Sequence, residues 1–215
     1  PAGRYQIDQN VELVSEKSIF GSTEGTTIVA STNPNEANKF HESDYSTVVK
    51  NITIKNIVFD NVIIYVRGVR KSGIKVINNA FLNSKTSLTQ AQVTLNHSSY
   101  DIIGNVFLRG EIHTGVALST YRNYNTLIKG NFMGNLSNKV KAANYLSLET
   151  LKLIDKVYDA DRHNKIDITG DQSNFLSGWY ATDGLTDSTF TQNFIVGNKS
   201  LNIFDRDTGR YDGFR

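Results

Sequence analysis

The sequence contains no cysteine among its 215 residues. That excludes disulfide bridges, thiolate metal centres and thiol catalysis. Proline occurs twice, and tryptophan and methionine once each. With so little proline, hardly any of the chain reads as stiff linker. No apolar run approaches the ~20 residues that a membrane-spanning helix needs. No secretory leader is recognisable, and a mature exported chain lacks one. An excess of one charge is missing too: 23 Lys and Arg stand against 21 Asp and Glu, a net +2 with a pI near 8.8. That balance is too mild to argue for nucleic acid. Arg67, Arg70 and Lys71 do cluster, and Arg109, Arg122 and Lys129 recur downstream. A stacked basic strip would attract an anionic polymer, although the charge alone fits an ordinary solvated face. No P-loop, dinucleotide fingerprint or His-rich zinc spacing is present.

What is present is a repeated phrase. It is written at 51–61 (NITIKNIVFDN), 73–83 (GIKVINNAFLN), 100–110 (YDIIGNVFLRG) and 125–135 (NTLIKGNFMGN), with a fifth copy at 189–198 (TFTQNFIVGN). Asn56, Asn79, Asn105 and Asn131 lie 23, 26 and 26 residues apart. Self-similarity at such a period signals a repeat architecture, and its content is strand and turn. The expected fold is all-β, a right-handed parallel β-helix, because one copy alone cannot bury its apolar residues and stacked copies can. A β-sandwich with Asn-rich turns is the alternative. In the solenoid, Ile54, Ile77, Ile103 and Ile128 are expected to form one inner column. Phe59, Phe81, Phe107, Met133 and Ile195 form another. Asn56, Asn79, Asn105, Asn131 and Asn193 are expected at the bends, where Asn tolerates a left-handed backbone and its amide can bond along the stack.

The expected organisation is a single domain over 1–215 with a loop and helix insertion around 136–185. Residues 31–46 (STNPNEANKFHESDYS) read as a polar loop projecting from one rung. Its His41, Glu42 and Asp44 resemble metal ligands in type, but three polar residues in a loop seldom make a site. Short strands near Ile63, Gln92 and Gly115 follow the repeats. With Val66, Leu95 and Leu118 inward, Tyr65, Arg67, Thr94, Asn96 and Ser119 point outward and form one exposed sheet. In the insertion, Ser147 is a candidate N-cap for an amphipathic helix with Leu148, Leu151, Ile154, Val157 and Tyr158 near one face. Trp179 and Tyr180 are candidates for stacking on sugar rings, with packing of the insertion as the competing role. No polar cap is recognisable at either end, so rungs are expected to continue beyond both.

The opening phrase 1–5 (PAGRY) and the recurring NN-x-F and GN-x-F rungs resemble the right-handed parallel β-helix superfamily of polysaccharide lyases, and within it the small alginate or uronate lyases. The resemblance implies a secreted bacterial enzyme, monomeric, that cleaves an acidic polysaccharide by β-elimination, with no nucleic-acid or membrane partner. Such a reaction needs a group that neutralises the uronate carboxylate, a base for the C5 proton and an acid for the leaving oxygen. The candidates are Arg122 or Asn96 for the carboxylate, His97 or His113 for the base, and Tyr121 for the acid. Arg67, Arg70 and Lys71 would hold neighbouring carboxylates. Calcium-dependent members make Ca2+ a candidate cofactor, but their Lys–Arg pair and paired Glu ligands have no residue-by-residue match here. The same superfamily holds glycoside hydrolases, phage tailspike depolymerases and non-catalytic adhesins, and fold does not fix function. A hydrolase needs paired carboxylates; Asp205, Asp207 and Asp212 cluster without stacking, which ranks that reading second.

Overall fold

The computed structural model describes residues 1–67, 71–82, 84–85, 93–96, 98–107, 110–111, 118–133, 143–144, 146–164, 179–186, 189–195, 203–205 and 210–212. Among these residues the chain winds as a parallel β-solenoid with three long sheets. Sheet I stacks Gly3–Ile7, Thr27–Ser31, Ile57–Asp60, Ala80–Leu82, Val106–Phe107, Phe132–Met133 and Phe194–Ile195. Sheet II stacks Ile19–Phe20, Thr53–Lys55, Lys71–Ile77, Ser98–Ile103, Leu127–Lys129 and Thr189–Thr191. Sheet III stacks Val11–Glu12, Asn38–His41, Val62–Val66, Val93–Asn96, Leu118–Tyr124 and Trp179–Thr186. Every pairing within these sheets is parallel, so each strand lies on its counterpart one rung away. The residues 203–205 and 210–212 form a separate antiparallel pair.

Like stacks on like. Phe59, Phe81 and Phe107 occupy one register position of sheet I, continued by Met133 and Ile195, as expected. Their rings are spaced 5.1 Å apart, nearly parallel from Phe81 to Phe107 at 8°. In sheet II the expectation is corrected by one residue. The inner column is Ile19, Ile54, Val76, Ile102 and Ile128. From Ile54 to Ile128 its members are fully buried. Ile77 and Ile103 instead align with Phe20, Lys55 and Lys129 on the outward face. The strand period is two, so a slip of one residue exchanges the faces. The doublets Val76-Ile77 and Ile102-Ile103 offer an apolar residue to either face.

The corner from sheet II to sheet I divides between two adjacent columns the roles assigned above to one set of asparagines. Asn56, Asn78, Gly104, Gly130 and Gln192 take the left-handed backbone, with φ between 51° and 66°. Asn79, Asn105, Asn131 and Asn193, one residue later, form an amide ladder. Each accepts the backbone N–H of the preceding ladder residue, at 2.9, 2.9 and 3.0 Å for the three steps. Each also donates through Nδ2 to a carbonyl one rung back: Ile54, Val76, Ile102 and Ile128, at 2.7–2.9 Å. Asn56 therefore lies outside the ladder, whose first position is Ile57; the Ile57 N–H donates to Asn79 Oδ1 at 3.1 Å. A bend interrupts the sheet bonding, and the ladder supplies partners to backbone groups that would otherwise be buried without them.

The middle strands of sheet I, Ile57–Asp60, Ala80–Leu82 and Val106–Phe107, are buried on both faces, whereas Gly3–Ile7 is largely exposed. The sheet's second register column, Ile28, Val58, Ala80, Val106 and Phe132, packs under Leu146, Leu153 and Ile154. These belong to or precede helix α1, Leu148–Asn164. Ser147 caps the helix as expected, its Oγ accepting the Thr150 N–H at 3.2 Å. The buried face is shifted from the expected one. Leu148 is 66% exposed, whereas Thr150 and Ile154 are fully buried. Thr150 Oγ1 donates to the Gly130 carbonyl at 3.2 Å. Lys156 Nζ reaches Gly25 at 2.7 Å, 131 residues away in sequence. The side chains of Val157 and Tyr158 lie outside those described.

Candidate functional site

Residues 31–46 do not simply project as a loop. Asn38–His41 is a strand of sheet III, and Phe40 is buried against Phe59 with ring centroids 5.4 Å apart. One inward aromatic in an alternating tetrapeptide is enough to seat it in the stack. This strand brings His41 onto the sheet. Across sheet III, Glu12, His41, Tyr65, Thr94, Ser119 and Tyr180 share one register column. The neighbouring column, Phe40, Ile64 and Val93, is buried in the core.

Five polar residues gather where that column leaves the early rungs. His41 and Tyr65 are register partners on adjacent strands, and both are half-buried. The Arg67 guanidinium lies 4.5 Å from the Tyr65 ring centre, and Lys39 Nζ lies 5.8 Å from it. Such cation–π contacts contribute about 0.5–1 kcal/mol each when exposed. Lys39 also pairs with Glu36 at 3.3 Å. Glu42 is buried at 7% exposure, and its Oε1 accepts the Arg67 backbone N–H at 2.8 Å. That bond fixes the chain at Arg67 as it leaves the strand. Burial pushes the Tyr65 phenol above its ordinary value of 10.0, the Arg67 cation pulls it back, and the Glu42 carboxylate adds to the rise. Tyr65 is thus a protonated phenol near neutral pH, a hydrogen donor beside the Arg67 cation.

The sequence candidates fall in several places. Arg67 belongs to this cluster. Asn96 and Tyr121 are register partners on sheet III, two positions along from Thr94 and Ser119. Arg122 follows Tyr121 in the same strand, where the pairing with Trp179–Thr186 shifts register. Tyr180 pairs with Ser119 on the column of His41 and Tyr65, while Trp179 pairs with Leu118 on the column of Phe40, Ile64 and Val93. Leu118 is thereby the partner of Val93, not of Leu95 as the grouping with Val66 and Leu95 implied; the facing parity is unchanged. Lys71 begins a strand of sheet II and pairs with Val49 and Ser98. Lys129 also lies on sheet II and Arg122 on sheet III, so these cations do not form one strip. Arg70, His97, Arg109 and His113 lie outside the described residues. His41, read from sequence only as a ligand type, and Tyr65, read only as an outward residue, carry none of the catalytic roles assigned above. The alternation Asn38-Lys39-Phe40-His41 was the available signal.

Calcium requires six to eight oxygen ligands. Among the described residues no group of three or more His, Asp or Glu converges on a common point, so His41, Glu42 and Asp44 do not fit a metal centre. Asp44 instead closes its own turn, bonding the Ser46 N–H and hydroxyl at 2.6 Å, and these bonds hold its carboxyl below the ordinary range. Among the described residues no helix is long and apolar enough to cross a membrane. No family model, curated protein or solved structure matches the chain.

Proposed function

We propose that this chain is a secreted polysaccharide lyase that binds an acidic polyuronate along sheet III and cleaves it by β-elimination, alginate being the leading substrate. The observation that carries the reading is the arrangement of Arg67 over Tyr65 with His41 on the adjacent strand. A uronate carboxylate paired with Arg67 loses the charge that opposes removal of its C5 proton. The His41 imidazole takes that proton. The electron pair forms the C4–C5 double bond, the C4–O bond breaks, and the Tyr65 phenol protonates the departing oxygen. Asn96, Tyr121 and Arg122, on later rungs of the same sheet, are the proposed contacts for further residues of a linear chain, and His97 and His113 remain alternative bases. No step calls on a metal.

The test is ultraviolet absorbance of the protein mixed separately with alginate, polygalacturonate and glucuronan, with and without chelator. The conjugated product absorbs and a hydrolysis product does not. A rise with one polymer, lost in Arg67→Gln, supports the proposal. New reducing ends without absorbance overturn it in favour of a hydrolase. Binding without either signal overturns it in favour of a carbohydrate-binding solenoid.

A further inference from the structure

Lined by none of the residues of the column of His41 and Tyr65, a cleft of about 300 Å³ lies between helix α1 and the corner of sheets II and I. Volumes of this order suit a small-molecule site. On the helix side stand Glu149, Lys152 and Lys156; on the solenoid side stand Thr23, Thr26 and Asn78. The two lysines are one helical turn apart and so share a face, where like charges repel. No ion pair to either ammonium is found among the described residues. Lys156 is anchored at 2.7 Å to the Gly25 carbonyl, which holds its ammonium at the cleft, and burial lowers its pKa. Val58 and Leu153 supply apolar wall between these polar groups.

We infer that this cleft binds a small hydroxylated carboxylate, a sugar acid of about monosaccharide size. The chemistry is complementary. Two ammonium groups against one carboxylate leave the helix side with a surplus of positive charge, matched by one carboxylate on a ligand. Threonine hydroxyls and the Asn78 amide can exchange hydrogen bonds with sugar hydroxyls. The apolar wall fits the C–H face of a pyranose. Bound there, the ligand would bridge the helix to the early rungs and relieve the repulsion between Lys152 and Lys156. The site is separate from Arg67 and Tyr65 and does not depend on the lyase reading.

The experiment is calorimetric titration of the intact chain with glucuronate, glucose and inorganic phosphate in turn. Glucuronate should bind at about millimolar strength or better, with glucose and phosphate each roughly tenfold weaker. Lys152→Gln should weaken glucuronate roughly tenfold, because a hydrogen bond to a charged group is lost. Lys152→Gln should leave the unfolding midpoint near that of the parent, and Arg67→Gln should leave glucuronate binding in place. Equal binding of phosphate and glucuronate would reduce the cleft to an anion site and overturn the inference. Binding that survives Lys152→Gln but is lost in Arg67→Gln would place the sugar acid on sheet III and overturn it as well. No binding of glucuronate by a folded parent chain would also overturn it.

Discussion

The amide ladder gives the sharpest test of what holds the solenoid together. Asn105 is fully buried, and its side chain makes four hydrogen bonds. Its Oδ1 accepts the Asn79 N–H at 2.9 Å and Asn79 Nδ2 at 3.3 Å. Its Nδ2 donates to the Val76 carbonyl at 2.7 Å and to Asn131 Oδ1 at 3.1 Å. Asn105→Ala deletes all four. Asn79 Nδ2 keeps Ile54, and Asn131 Oδ1 keeps the Asn105 N–H. The Asn79 N–H loses its Asn105 acceptor and the Val76 carbonyl loses the Asn105 amide donor. Each such buried group costs about 1–3 kcal/mol, so the expected destabilisation from the two is about 2–6 kcal/mol. Urea unfolding at an m-value of about 3 kcal/mol per molar turns that into a midpoint lowered by roughly 1 M. Lys129→Ala, an exposed neighbour on the outward column, should stay within about 0.5 kcal/mol. Asn105→Asp keeps the shape but replaces a donor with an acceptor. Its buried carboxyl would titrate above the unfolded value, so the loss should be full at neutral pH and shrink as pH falls through the raised pKa. If Asn105→Ala matches the Lys129→Ala control at unchanged m-value, the ladder is not what stabilises the corner.

Ile102→Ala should cost about 2–5 kcal/mol and Ile103→Ala clearly less, because only the first points into the core; equal losses in denaturant melts would mean the register is wrong. Gly104→Ala and Gly130→Ala both place a Cβ on a left-handed backbone, at φ 63° and 66°, for about 1–2 kcal/mol each. Gly104→Ala should cost more, since its Cβ would meet the Asn78 amide oxygen while that of Gly130 meets nothing within 4 Å; thermal unfolding of the pair checks this. Arg67→Gln removes the cation that pulls Tyr65 down, so the phenol should titrate still higher, read by isotope-labelled tyrosine NMR. Since burial raises the folded pKa of Tyr65, its contribution to stability should be intact below about pH 10 and fall as pH rises past it.

The repeat was legible because stacking rewards the same residue type at the same place in every rung. The phenylalanine column could be read directly, since Phe59, Phe81 and Phe107 each have a single bulky candidate for the position. The isoleucine column could not, because Val76-Ile77 and Ile102-Ile103 satisfy either face. Lys55 and Lys129 decide it: each stands one residue before the left-handed corner, where burial would leave an ammonium without solvent, and that fixes Ile77 and Ile103 outside with them. Asn38–His41 escaped notice for a different reason. A four-residue strand with one inward aromatic carries too little alternation to stand out from a polar loop. The site was harder still, because Lys39, His41 and Glu42 come from one rung and Tyr65 and Arg67 from the next, and no sequence spacing links the two sets. Yet the solenoid supplies its own criterion. Columns that repeat a residue type, such as the phenylalanines and the ladder asparagines, are held by packing and hydrogen bonding. The column of Glu12, His41, Tyr65, Thr94, Ser119 and Tyr180 changes type at every rung. No one side chain repeats there: His41 and Tyr65 stand half-buried on adjacent strands with the Arg67 guanidinium over the phenol ring, while Thr94 on the next rung is buried.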